Sequence, residues 1–152
     1  PRVANVTIIG STATDEGSEG VLLRNGTAGE LYNFIITGPA GMGECLEVDG
    51  AEAQANAESG ELIMQNSVVA CENGENFKGM ATATLTTEEW FLGQAGNSTA
   101  ASMADVITGY ETVTAAAAAD VDAIDSWFDQ VDFIGAVKSG SDWTAGWVTV
   151  GL

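Results

Sequence analysis

Val3 to Gly10 reads VANVTIIG, Leu31 to Gly38 reads LYNFIITG and Met64 to Cys71 reads MQNSVVAC. Placed under one another, they put Asn5, Asn33 and Asn66 in one column, Val6, Phe34 and Ser67 in the next, and Ile8, Ile36 and Val69 two further on. A second set, GVLLRNG (Gly20 to Gly26) and ECLEVDG (Glu44 to Gly50), lines up in the same way, each a short strand closed by Asn-Gly or Asp-Gly. The unit is a block of about 24 to 33 residues holding two or three short strands and their turns, a length typical of solenoid repeats. The fold expected from this is all-β, a parallel β-helix. Each coil buries alternate apolar side chains, pairs its backbone with coils about 4.8 Å above and below, and cannot hide its hydrophobic face alone. Asn suits the column because it tolerates the left-handed conformation of a sharp bend, and stacked amides can bond along a ladder. A β-sandwich with chance similarity between strands is the alternative.

The chain has 152 residues, enough for one domain with a real core. Four Lys and Arg stand against 22 Asp and Glu with no His, a net charge of −18. Such a polyanion repels nucleic acid and anionic lipid surfaces. An apolar content of 45% with four Trp separates it from a solvated acidic tail. The few Lys among many Asp, Glu, Ala, Thr and Gly suggest an exported protein of a saline bacterial habitat. No stretch reaches the roughly 18 apolar residues of a membrane-spanning helix. The chain opens on Pro1, already inside a strand-like segment, as a mature product or a piece of something longer does. An exposed first coil is a β-edge that invites preceding coils or another copy of the chain. Cys45 and Cys71 lie about one coil apart near the same corner, and a disulfide between them would point to an oxidising compartment.

Along the chain, Ser11 to Gly20 is a polar loop in which Asp15, Glu16 and Glu19 offer oxygens to Ca²⁺. Their spacing matches no EF-hand or glycine-rich nonapeptide, so a solvated loop is the plainer reading and no cofactor is required. AEAQANAESGE (Ala51 to Glu61) reads as a solvated acidic insertion at a coil corner. Residues 1–79 form the expected coils. Residues 80–119 supply edge strands, among them ATATL (Ala81 to Leu85) and ADVITGYETV (Ala104 to Val113). They also hold a short helix, which Thr86 and Glu89 open with a capping box ahead of Trp90 and Phe91. Residues 120–152 form a cap. Its helix runs from Asp120 to about Gln130, with Ile124, Trp127, Phe128 and Val131 on one face and Asp122, Asp125 and Asp129 on the other. Trp127, Phe128, Phe133, Trp143 and Trp147 read as aromatic plugs over a hydrophobic end.

The tail FDQVDFIGAVKSGSDWTAGWVTVGL (Phe128 to Leu152) resembles the C-terminal signature of a set of exported, mostly uncharacterised bacterial proteins, in which a phrase like VDYIGAF followed by DWTAGWT closes a right-handed parallel β-helix. The resemblance implies right-handed coils and export, and with the helices read above the expected fold ends in a C-terminal cap containing one or two short α-helices. It carries over no catalytic residue. Such proteins normally have further N-terminal coils, which this chain lacks.

Two functions follow. The first is a non-enzymatic extracellular or cell-surface structural module that self-associates into fibres through its open N-terminal coil. The second is a polysaccharide-binding or polysaccharide-degrading protein, or the C-terminal piece of a longer exported one. For a lyase, the bases Arg2, Arg24, Lys78 and Lys138 are few and scattered. For a hydrolase, which needs two carboxylates about 5 to 9.5 Å apart, Glu47 and Asp49 share a strand face and are the best pair. Without His, nucleophilic triads and zinc chemistry lack their usual base and ligand. The sequons at Asn5, Asn25 and Asn97 carry little weight in a bacterial chain.

Overall fold

The computed structural model describes residues 1–12, 19–72, 76–80, 84–146 and 148. The aligned stretches are strands β1 (Arg2–Ile9), β3 (Gly29–Gly38) and the pair β5 (Leu62–Gln65) and β6 (Val68–Cys71). They pair in parallel in the aligned register, Val3 opposite Leu31, Val6 opposite Phe34, Leu31 opposite Met64 and Ile36 opposite Val69. With β8 (Ser98–Thr99) they make a five-stranded sheet, in which β1 is an edge. Period-two alternation sends Ile36 to one face and Ile35 to the other, and both are fully buried, so β3 is covered on both sides.

The expectation of an all-β solenoid is corrected. The described strands fall into three separate small sheets. Besides the five-stranded one there is a parallel sheet of β2 (Val21–Leu23), β4 (Leu46–Val48) and β7 (Phe77–Gly79), and an antiparallel hairpin of β9 (Ile107–Thr108) and β10 (Glu111–Thr112). Helices interrupt them, and no regular coil repeat runs through the described residues. Pairing dwindles to two residues at β8, after which no described strand joins the five-stranded sheet. Within the second sheet the register is also one residue off the sequence alignment: Val21 faces Leu46 and Leu23 faces Val48. That slip sets Val21 and Leu23 opposite Leu46 and Val48 and leaves Leu22 opposite Glu47, whereas the aligned register would set Leu23 against Glu47.

The expected solvated insertion is helix α1 (Ala51–Ser59). Its alanines are strong helix formers, Ala53 and Ala57 are buried one turn apart, and Gly60 closes it in the left-handed conformation at φ 82°. Helix α2 (Thr87–Leu92) has the capping box at Thr86 and Glu89, and it buries Trp90 and Phe91. The main core draws on both parallel sheets, α1 and α2 through Phe34, Ile36, Leu46, Met64, Val69 and Phe91, where each fully buried large side chain contributes about 1.5–3 kcal/mol. The Cys45–Cys71 disulfide lies within this core, with Cα atoms 5.8 Å apart. At 26 residues of separation, the chain-entropy model assigns such a link roughly 3–4 kcal/mol.

Asn5, Asn33 and Asn66 adopt φ of 56°, 60° and 51°. Asn33 Nδ2 donates to Asn5 Oδ1 at 3.2 Å, and beyond that one rung the column docks the C-terminal region. Asn5 Nδ2 donates to the Phe133 and Gly135 carbonyls, Asn33 Oδ1 accepts the Ala119 amide at 2.7 Å, and Asn66 Nδ2 reaches the Ala117 carbonyl at 3.0 Å. Gly135 is required there. Its φ is 77°, and a Cβ would meet Thr7, Thr112 and Ile35 atoms at 2.7–2.8 Å.

The cap differs from expectation. Helix α3 is only Val121–Ile124, because Asp125 turns extended at φ −155° and ends it. Trp127 is 83% and Trp143 59% exposed, Phe128 and Phe133 are partly buried, and the fully buried place under this segment belongs to Ile134. Trp143 instead pins the strap by donating Nε1 to the Ala136 carbonyl at 2.8 Å. Trp147 and residues 81–83 lie outside the described residues, while Thr84 and Leu85 form a bend rather than a strand. Among the described residues, no helix is long and apolar enough to cross a membrane.

Candidate functional site

The alignment that pairs Val3 with Leu31 also pairs Arg2 with Glu30 at the start of β1 and β3. Arg2 Nε donates to Glu30 Oε2 at 2.8 Å, and Arg2 Nη1 donates to Asp125 Oδ2 at 3.1 Å. Tyr32 adds its hydroxyl to the same Glu30 oxygen at 3.0 Å. Arg2, Glu30 and Asp125 line an open groove of about 870 Å³, whose walls also include Gly29, Glu61, Ile63, Trp127 and Phe128. The Trp127 and Phe128 rings meet edge to face at 5.4 Å, leaving the indole presented to solvent.

Charge in the groove is tied down. Hydrogen bonding from Arg2 holds the Glu30 carboxyl below the ordinary carboxylate range, and the same bonds push the guanidinium up. Asp125 is lowered first by the Trp127 amide and then by Arg2. Burial, reinforced by Glu30, pushes the Tyr32 phenol up to about 12. A second large groove, about 610 Å³ between Ile9, Thr12, Pro39, Met103 and Ile107, has no aromatic residue among the described residues of its lining.

A distinct charge cluster lies on the three-stranded sheet. Glu47 of β4 and Lys78 of β7 are register partners, and Lys78 Nζ bonds Glu44 closely and lies 3.5 Å from Glu47 Oε2. Burial, then the neighbouring Glu44, pushes Glu47 up; Glu44 resists its own burial through Lys78 and ends lowered. Glu19, Glu44 and Glu47 can bring oxygens within 4.8 Å of one another, the geometry of a cation site, but the Lys78 ammonium already bonds Glu44 there. The cluster lines neither of the two large grooves.

Few of the residues singled out from sequence gather in one place. Glu47 meets Glu44 and Lys78, not Asp49, which lies exposed in a small hollow beside Arg24. Of the four scattered bases only Arg2 lines the large aromatic groove, while Lys138 pairs with Asp132. Asp15 and Glu16 lie outside the described residues. Trp127 and Phe128 belong to the groove rather than to a plug. Sequence reasoning misses Glu30, Glu61 and Asp125 as site residues. The signal for Glu30 is its place one step before the Asn-column alignment, opposite Arg2.

A sequence model of the pectate-lyase-like beta helix domain matches residues 1–148. No curated protein and no solved structure matches the chain.

Proposed function

Since the chain belongs to the pectate-lyase-like beta helix domain family, we propose that it is a non-catalytic polysaccharide-binding module of an exported protein and that it takes sugar in the Arg2–Trp127 groove. The exposed Trp127 indole beside Arg2, Glu30 and Asp125 is the observation that carries this reading. A pyranose ring has an apolar C–H face and a rim of hydroxyls, and it asks for a flat aromatic platform flanked by charged hydrogen-bonding groups. Burying roughly 80 Å² of that face on the indole is worth about 2 kcal/mol. Binding is favoured over turnover because Glu30 and Asp125 are both depressed and bonded to Arg2, so neither is poised as the general acid that glycoside cleavage needs. The carboxyl that is raised, Glu47, stands outside the groove. The Cys45–Cys71 link fits an oxidising, extracellular setting.

Fibre formation through the β1 edge has less behind it. The edge is open among the described strands, but every copy carries −18, and like charge opposes stacking of copies. Retention of the protein on immobilised plant and microbial polysaccharides, compared with Trp127→Ala, tests the reading. The expected result is binding weakened about tenfold or more by the substitution; equal retention of both proteins, or of neither, would overturn it.

A further inference from the structure

Resting on that glycan-binding reading, we infer that the groove selects polymers bearing ammonium groups, such as glucosamine chains, and rejects polyuronates. The groove holds three carboxylates, Glu30, Glu61 and Asp125, against the Arg2 guanidinium. Arg2 is spent on two of them, through Nε to Glu30 and Nη1 to Asp125. It is therefore not free to clamp an incoming carboxylate with both edges. Glu61 is exposed on the groove wall, and among the described residues its carboxylate has no ion-pair or hydrogen-bond partner. An ammonium on a sugar stacked over Trp127 meets both that carboxylate and the face of the indole, which itself attracts cations. A uronate in the same place meets an acidic wall on a chain of net charge −18.

The test is titration of the whole 152-residue chain with three oligosaccharides of equal length, built from glucosamine, N-acetylglucosamine and galacturonate, at mildly acidic pH in low and in high salt. The first two differ in the charge at nitrogen. At low salt the glucosamine oligomer should bind about fivefold tighter than its acetylated twin, the worth of one close ion pair in water. The gap should close at roughly 0.5 M salt, and galacturonate should bind weakest. Glu61→Gln should remove most of the gap, whereas Glu88→Gln, on α2 away from the groove, should leave it intact. Equal or tighter binding of the acetylated or uronate oligomer overturns the inference while leaving the glycan-binding reading in place. So does a gap that survives Glu61→Gln, since it would reduce the preference to diffuse charge attraction, whereas glucosamine binding undiminished in Trp127→Ala overturns the glycan-binding reading as well. Failure of all three sugars to bind overturns the glycan-binding reading itself.

Discussion

Asp125 holds Trp127 in place: its Oδ1 accepts the Trp127 amide at 3.1 Å, while its Oδ2 accepts the Arg2 guanidinium at 3.1 Å. One carboxylate thereby stops helix α3, turns the indole out to solvent, and ties it to the edge strand β1 across 123 positions of sequence.

Removing that link should loosen the platform before it loosens the fold. In Asp125→Ala the indole loses its preset orientation, and glycan affinity should fall roughly threefold to tenfold. Asp125→Asn keeps an acceptor for the Trp127 amide and should lose less. Both variants should melt only slightly below the parent at neutral pH, because the ion pair they lose is at the surface. Binding isotherms and melting curves on the same samples check this, and an unaltered affinity in Asp125→Ala would contradict it.

The same groups set an acid limit. Glu30 and Asp125 are depressed in the folded chain. Their contribution is therefore complete above the unfolded carboxylate values of about 4 and is lost as pH falls through the folded values. Melting temperature should hold between pH 7 and about pH 5 and decline below. Arg2→Ala should melt lower at neutral pH and converge with the parent in acid. A constant offset down to about pH 2 would contradict this assignment.

Glu47 has the opposite sign. Its burial, with Glu44 beside it, raises the folded value, so the environment favours the neutral acid and stability is lost as pH rises through that raised value. Glu47→Gln should melt higher than the parent at neutral pH, and the advantage should vanish below about pH 4, where the unfolded carboxyl is protonated too. Melting curves at the two pH values decide it. A destabilised variant at neutral pH would mean that the Lys78 contact outweighs the burial.

Asn33 is fully buried at φ 60° and bonds Asn5 and both backbone groups of Ala119. Asn33→Ala leaves those groups without a partner and puts a residue with no side-chain amide in the left-handed region that Asn tolerates, a loss of about 3 kcal/mol. Asn33→Gly removes the backbone strain alone and should recover about 1 kcal/mol of it. Chemical denaturation of the two variants separates the contributions.

The strand register is legible in the sequence because two signals coincide: apolar alternation, and the Asn column that marks each bend. The extension of that register into a uniform solenoid is not, since strands of three residues such as β2 and β7 carry too little pattern to show where pairing stops or slips. Helix α1 is hidden because its buried positions are alanines, Ala53 and Ala57, and no large side chain marks its inner face. Ile124, Trp127 and Phe128 have helical spacing, and only the distant Arg2 and the local Asp125 bond explain why the helix ends before the two rings. The groove is likewise tertiary. Arg2 and Glu30 lie one step outside the aligned stretches and could have been paired by extending them, but Asp125 and Glu61 reach the site only through the fold.

The most direct measurement is an NMR titration of the indole N–H resonances with a soluble oligosaccharide. Trp90 is buried with its Nε1 unbonded among the described residues, Trp143 is bonded to the Ala136 carbonyl, and Trp127 stands exposed in the groove. The Trp127 resonance should shift in a saturable manner, together with amides of Arg2, Glu30 and Asp125, while Trp90 stays still. Saturable shifts centred on Trp143 or on the Glu44–Lys78 cluster, with Trp127 unmoved, would contradict it.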